Sequence, residues 1–264
     1  MTNPSTNAIA IITGAAGDIG RAIAAALTSD YHLALVDIDA DALEGAGKTL
    51  ATQGAKLSLH RCDLTCPADL TALKEQLAPL GRVSLLVNNA GAAAALSLQE
   101  LTAEQLRQDL ALNLEAATNI FKTFEDDLKQ GGNLINIASV NGMAVFGHPA
   151  YSMAKAGLIH FTRLVATEYG KYGLRANTVA PGTVRTQAWN ARAAANPKVF
   201  EEAAYWYPLG RVAEPEDVAN AVAFLASPAA NAITGVCLPV DCGLTSGPSP
   251  LPHTFTQSAD YAPL

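Results

Sequence analysis

Short apolar, β-rich runs alternate along this chain with longer alanine-rich helical patterns, the signature of a parallel sheet covered by helices. The runs that read as strands begin near Ala8, His32, Lys56, Val83, Asn133, Leu174 and Val236. Stretches such as Ala8 to Ile12 and Val83 to Val87 are almost continuously apolar, as expected of strands buried on both faces. Right-handed crossovers between such strands predict an α/β fold, a doubly wound parallel sheet of the Rossmann type with about seven strands and helices on both faces. No internal repeat and no Gly/Ser linker divides residues 1–264, so the chain reads as a single domain. A helical insertion rich in Ala, Trp and Tyr interrupts the alternation from Arg185 to Pro208 and is read as a small lid over about 185–210. The tail 247–264 carries prolines at 248, 250, 252 and 263, which predicts a segment without regular structure. Its apolar residues Leu251, Phe255, Tyr261 and Leu264 predict that it packs over its own or a neighbouring subunit beside the lid.

Composition narrows the function classes. A net charge of −7, from 24 acidic and 17 basic residues, offers no footprint for nucleic acid or an anionic membrane. Met1 to Asn7 is polar, without the basic flank and apolar stretch of a secretion signal, and no apolar run approaches ~20 residues, so a cytoplasmic protein is expected. Cys62, Cys66, Cys237 and Cys242 match no zinc-knuckle spacing and read as buried, reduced thiols; the five histidines include no His-Glu-x-x-His helix, and no metal is expected.

The candidate chemistry sits at strand ends. The first strand runs into Thr13-Gly-Ala-Ala-Gly-Asp-Ile-Gly20 and then a helical stretch. Glycines there permit a tight turn and close backbone approach, and the amides opening the next helix form an anion site that suits a dinucleotide diphosphate. Asp37 ends the second strand, placed to accept hydrogen bonds from both adenosine ribose hydroxyls and to repel a 2′-phosphate, which predicts NAD over NADP. No arginine or lysine follows it closely. Asp63 ends the third strand, placed to meet the adenine, and Asn88-Asn-Ala-Gly91 ends the fourth at the edge where such sheets bind ligands. Tyr151 and Lys155, four apart on a helix, share one face, and a fixed cation beside a phenol is expected to favour phenolate.

Together these residues resemble the short-chain dehydrogenase/reductase family over nearly the whole span from Ala8 to Gly243. The family's nucleotide turn falls on Thr13, Gly14, Asp18 and Gly20, its Asn-Asn-Ala-Gly motif on Asn88 to Gly91, and its Tyr-x-x-x-Lys pair on Tyr151 and Lys155. The resemblance implies catalytic roles for Asn113, Ser139, Tyr151 and Lys155. It implies a cofactor set of Gly14, Gly17, Asp18, Ile19, Asp37, Asp63, Leu64, Asn89, Ala90, Gly91, Tyr151, Lys155, Pro181, Gly182, Val184 and Thr186, and a homotetramer. Two departures stand out. Asp18 replaces a glycine of the nucleotide turn, where a carboxylate costs diphosphate affinity unless it turns away or caps the following helix, and Cys242 replaces a glycine near the last strand.

The implied chemistry is hydride transfer between a secondary alcohol and nicotinamide, with Tyr151 moving the hydroxyl proton, Ser139 bonding the substrate oxygen, Lys155 holding the nicotinamide ribose and Asn113 holding a water. Taken singly, each residue has an ordinary reading: a cap for Ser139, a core ring for Tyr151, a surface cation for Lys155, a helix-interior amide for Asn113. The substrate wall is expected from Ser139, Asn141, His148, Tyr151 and Trp189, with Val140, Phe146, Tyr205 and Trp206 nearby, a mixture that suits a cyclic or aryl-bearing alcohol or ketone. The alternatives are a carbonyl reductase of acyl-carrier thioesters or quinone-like ketones and a catalytically silent dinucleotide-binding regulator. A hydrolase is disfavoured because no Gly-x-Ser-x-Gly elbow is present.

Overall fold

A computed structural model describes residues 8–248 and 250–261. Met1 to Asn7, Pro263 and Leu264 lie outside the described residues. Seven parallel strands form one sheet in the order β3-β2-β1-β4-β5-β6-β7. They are β1 Ala8–Thr13, β2 His32–Asp37, β3 Leu57–Arg61, β4 Arg82–Asn88, β5 Asn133–Ile137, β6 Arg175–Pro181 and β7 Cys237–Val240, each starting within one residue of its expected position. The order reverses between β1 and β4, which makes their carboxyl ends the crevice for a ligand.

The helices are numbered in chain order, α4 being Ala103–Leu110, α8 Asn190–Ala195 and α9 Val199–Ala204, the last two in the segment after β6. Side-chain alternation divides the core in two. Ala10, Ile12, Leu33 and Leu35 face α1 Asp18–Ala26, α2 Ala40–Thr52 and α10 Pro215–Ala226, while Ile9, Ile11, Ala34 and Val36 face α3 Pro67–Leu77, α5 Ala116–Thr123, α6 Glu125–Leu128 and α7 Pro149–Tyr169. The alanine-rich stretch from Val218 to Ala226 lies in α10 and buries Val218, Ala219, Val222 and Leu225 in its own subunit's core, so its composition does not of itself argue for assembly.

A polar ladder crosses this apolar interior. In register across β4, β5 and β6, Asn88 Nδ2 donates to Asn136 Oδ1 at 2.8 Å, and Asn136 Nδ2 donates to Thr162 Oγ1 of α7 at 2.8 Å. The Thr178 hydroxyl donates to Thr162 Oγ1 at 2.9 Å. These buried groups have no access to water, so the bonds fix how far α7 slides along the sheet.

The tail departs from expectation. Pro250–Thr256 is a helix, α11, followed by a 3-10 turn Ala259–Tyr261. Pro250 and Pro252 fall in its first turn, where a missing N–H costs nothing because those amides have no intrahelical partner. The thiols depart too: Cys62 is buried, but Cys66, Cys237 and Cys242 are half-buried, all four free. Cys242 adopts a left-handed φ of 50°, a conformation that explains why a glycine suits this place. Among the described residues no helix is long and apolar enough to cross a membrane, and no three His, Cys, Asp or Glu side chains cluster as metal ligands.

Thr162→Val should strand the Asn136 amide and cost about 1–3 kcal/mol, lowering Tm by roughly 2–4 °C per kcal/mol. An unchanged urea midpoint would remove the ladder from any role in seating α7.

Candidate active site

The crevice is built from β1 and β4 outward. The Thr13 hydroxyl accepts the amides of Asn89 and Ala90 at 2.9 and 3.1 Å, and Asn89 Nδ2 donates back to the carbonyls of Thr13 and Gly14 at 3.0 and 3.1 Å. Gly14, at φ 63°, passes so close to the fourth strand's loop that a Cβ there would stand 2.9 Å from Ala90 Cα. Asn88, by contrast, turns into the sheet ladder.

A groove of about 620 Å³ opens above this staple. Gly14, Gly17, Asp18 and Ile19 form its floor, Asp37, Asp63 and Leu64 its far end, and Asn89, Ala90, Gly91 and Thr186 its near side. Gly17 caps α1 without a side-chain hydrogen bond, leaving the helix's opening amides for an anion. Asp37 accepts from Ala16 N at 2.9 Å through one oxygen and from Asp39 N at 3.1 Å through the other, each oxygen keeping a further lone pair. Asp63 accepts from the Thr65 amide and hydroxyl at 2.9 and 2.6 Å, bonds that hold its carboxyl below the usual range. Two cations escaped sequence reasoning: Arg61 is the register partner of Asp37, though exposed, and Arg21 lines the groove. The charged side chains of the groove are then Asp18, Asp37, Asp39 and Asp63 against Arg21. Pro181, Gly182 and Val184 follow at the end of β6, where Gly182 N donates to Val240 O at 3.1 Å and Val184 bridges to Ala213.

Beyond Gly91 four side chains converge. α7 carries Tyr151 and Lys155, and Lys155 Nζ lies 5.4 Å from the Tyr151 ring centroid while donating to Ile137 O at 2.9 Å. Ser139 follows β5, its hydroxyl donating to Asn141 Oδ1 at 3.2 Å and facing the Tyr151 phenol. Asn113 sits in a π-helical turn, Ala111–Glu115, between α4 Ala103–Leu110 and α5. Such a bulge is frequent at functional sites, and nothing in the residue pattern announces it. Asn113 Nδ2 donates to Ala92 O and Asp109 O at 2.8 and 2.9 Å, which leaves Oδ1 buried without a hydrogen-bond partner. A carbon placed on Gly91 would stand 2.6 Å from that oxygen and 3.2 Å from Lys155 Nζ, so both atoms address one small space, and only glycine leaves it open.

The electrostatics correct one expectation. Loss of water pushes the Tyr151 phenol above its ordinary 10.0; the Ser139 hydrogen bond pulls it down and the Asp109 carboxylate pushes it further up. Burial also pulls Lys155 down to about 8. The cation meant to depress the phenol is itself desolvated by the same enclosure.

The residues expected to line a substrate are held by further contacts. Asn141 is engaged on every side: its amide donates to Ser139 Oγ, and its Nδ2 donates to Gly147 O and Ser152 Oγ. His148 packs edge-on to Tyr151, rings 6.5 Å apart, with Nδ1 bonded to Ala95 O at 3.1 Å. Trp189 instead stacks within the lid, against Phe200 at 5.7 Å and under Arg192 at 4.7 Å. A cavity of about 470 Å³ is lined by Phe146, Thr183, Ala203, Trp206, Tyr207, Leu244 and Pro248.

A family model described as enoyl-(acyl carrier protein) reductase matches residues 14–245. The chain belongs to the short-chain dehydrogenase/reductase family. An oxidoreductase of this family from Burkholderia thailandensis superposes with a TM-score of 0.91 at 43% identity, over 97% of this chain and 99% of that one. The chain is 36% identical to 2,5-dichloro-2,5-cyclohexadiene-1,4-diol dehydrogenase of Sphingobium indicum, over 89% of its own length and 96% of that protein. It is also similar to a variant of actinorhodin polyketide ketoreductase with NADPH, at a TM-score of 0.85 and 28% identity over 90% of this chain and 97% of that one. The protein is thus an oxidoreductase built for a nicotinamide dinucleotide.

Because Lys155 in the folded chain titrates near 8, below its ordinary 10.5, the unfolded chain holds the extra proton between those values. Stability should therefore rise with pH across that window. Urea denaturation at pH 8 and 10 should show this rise in the wild type and a smaller one in Lys155→Met; equal slopes would reject the buried ammonium.

Proposed function

We propose that this short-chain dehydrogenase/reductase uses NAD to interconvert a secondary alcohol, cyclic or aryl-bearing, and its ketone. The observation that carries the reading is the convergence of Ser139, Tyr151, Lys155 and Asn113 at the end of the groove beside Gly91. The dinucleotide, when bound, supplies the hydride acceptor at its nicotinamide. Gly14 to Ile19 would hold its diphosphate, Asp37 its adenosine ribose, and Lys155 its second ribose. Tyr151 takes the alcohol proton as its own leaves through a relay water that the orphan Asn113 oxygen would hold beside Lys155, and Ser139 donates to the substrate oxygen. A complete proton-handling set of this kind argues against a silent regulator.

NAD is favoured by charge: four carboxylates against one arginine line the groove, and the arginine is already paired with Asp18. A 2′-phosphate would add about two negative charges to that field. The aromatic cavity beside Tyr207 supports a substrate with an apolar ring, while His148 Nε2 supports a second oxygen on it. Similarity to a polyketide ketoreductase favours, as a second reading, reduction of a bulky ketone in the same cavity. We also propose that the lid and the start of the tail form the outer wall of this cavity, because Ala203, Trp206 and Tyr207 share its lining with Pro248.

Kinetics with NAD(H) and NADP(H) test the cofactor: NAD should be preferred, and Asp37→Ala should relax the preference more than Asp37→Asn, which keeps an oxygen for Ala16 N. Equal or better use of NADP(H) by the wild type rejects the assignment. Tyr151→Phe should lower kcat by about 10²–10⁴-fold with NADH affinity kept; substantial residual turnover excludes it as the acid/base. Deleting residues 248–264 should raise the substrate KM more than that of NAD. Unchanged kinetics would make the tail an appendage.

A further inference from the structure

Asp18 stands where the family's nucleotide turn has a glycine, at the first position of α1 and on the floor of the groove. A carboxylate facing a diphosphate there is repulsive. Both of its oxygens, however, are engaged elsewhere, and its side chain is only 16% exposed. Oδ1 pairs with Arg21 one helical turn on, and Oδ2 accepts the amide of Gln187 at 2.6 Å across 169 residues of chain.

The second bond is the informative one. Gln187 opens the 3-10 turn Gln187–Trp189 with which the lid begins, and Thr186, the residue before it, supplies no side-chain cap. The orphan amide of the lid's first turn is therefore capped from α1. Asp18, Arg21, Thr186 and Gln187 together form the partition between the dinucleotide groove and a second cavity of about 440 Å³ behind it. One carboxylate thus joins the floor of the groove to the start of its lid.

We infer that Asp18 is a positioning residue with two coupled roles: it seats the lid's first turn on the nucleotide turn, and with Arg21 as counter-ion it keeps its own charge off the diphosphate. The second role rests on the dinucleotide reading; the first does not. Removing Arg21 would free the carboxylate to face the groove, so the loss of affinity in Arg21→Ala originates in Asp18. It should vanish when residue 18 is glycine. An arginine that bound the diphosphate directly would lose the same affinity in either background, so non-additivity separates the two accounts.

NADH binding, followed by its fluorescence, should be weakened roughly tenfold by Arg21→Ala. Asp18→Gly should bind at least as tightly as the wild type, and the double variant should match Asp18→Gly. Hydrogen exchange in the lid, measured without dinucleotide, should quicken after Gln187 in Asp18→Gly. It should stay near wild type in Asp18→Asn, which retains an acceptor for the Gln187 amide. An Arg21→Ala loss that persists undiminished beside Asp18→Gly overturns the charge role, and lid exchange identical in Asp18→Gly and wild type overturns the tether. A wild-type chain that binds neither NADH nor NADPH overturns the cofactor reading and the charge role together, while lid exchange still decides the tether.

Discussion

Two loops leave neighbouring strands at the point where the strand order reverses, and the Thr13 hydroxyl, accepting the Asn89 and Ala90 amides, holds them together. Everything functional is measured from that staple. Because β1 continues to a helix on one face and β4 leads towards helices on the other, the crevice between them cannot be filled by a crossover. Gly14 lets the two backbones meet, and Gly91 leaves the space that Asn113 and Lys155 share. Side chains at either glycine would close the groove or part the proton-handling groups.

Enclosure then sets the chemistry. The polar ladder from Asn88 through Asn136 to Thr162 seats α7 at one depth along the sheet and brings Tyr151 and Lys155 under the crevice with Ser139. Proximity favours phenolate beside ammonium, whereas loss of water disfavours both charged forms. In the folded chain desolvation dominates, raising the phenol and lowering the ammonium to about 8. The protein side chains alone therefore do not prepare a phenolate, and a positively charged nicotinamide nearby would act in the direction the enclosure opposes.

The cavity proposed for the substrate is assembled from segments distant in sequence. Phe146 follows β5, Trp206 and Tyr207 close the lid, Leu244 follows β7 and Pro248 begins the tail, yet they share one cavity. The lid's end is tied to this region through Leu209 N and Cys242 O at 3.1 Å, and its beginning to α1 through Asp18. Both ends of the segment are thus bonded to the body of the fold.

The order of strands and helices, the glycine turn and the shared face of Tyr151 and Lys155 were legible in the chain itself, because each depends on local periodicity or on spacing within one element, whereas Asn113 and Ser139 were singled out only by the family resemblance. Even the tail's helix was encoded, since Pro250 and Pro252 lie in a first turn that needs no amide; the error was to read proline without its position. What only tertiary structure decided are contacts between elements far apart: the π turn that strands the Asn113 oxygen, the stacking of Trp189 inside the lid, the nearness of Arg21 and Arg61 to the nucleotide groove and Asp37, and the bond from Asp18 to Gln187. Periodicity states which face of an element is buried but not which polar group on another element it will meet. Whether a carboxylate repels a ligand or caps a lid, and whether an ammonium stays charged, is set by that meeting and by the water it excludes.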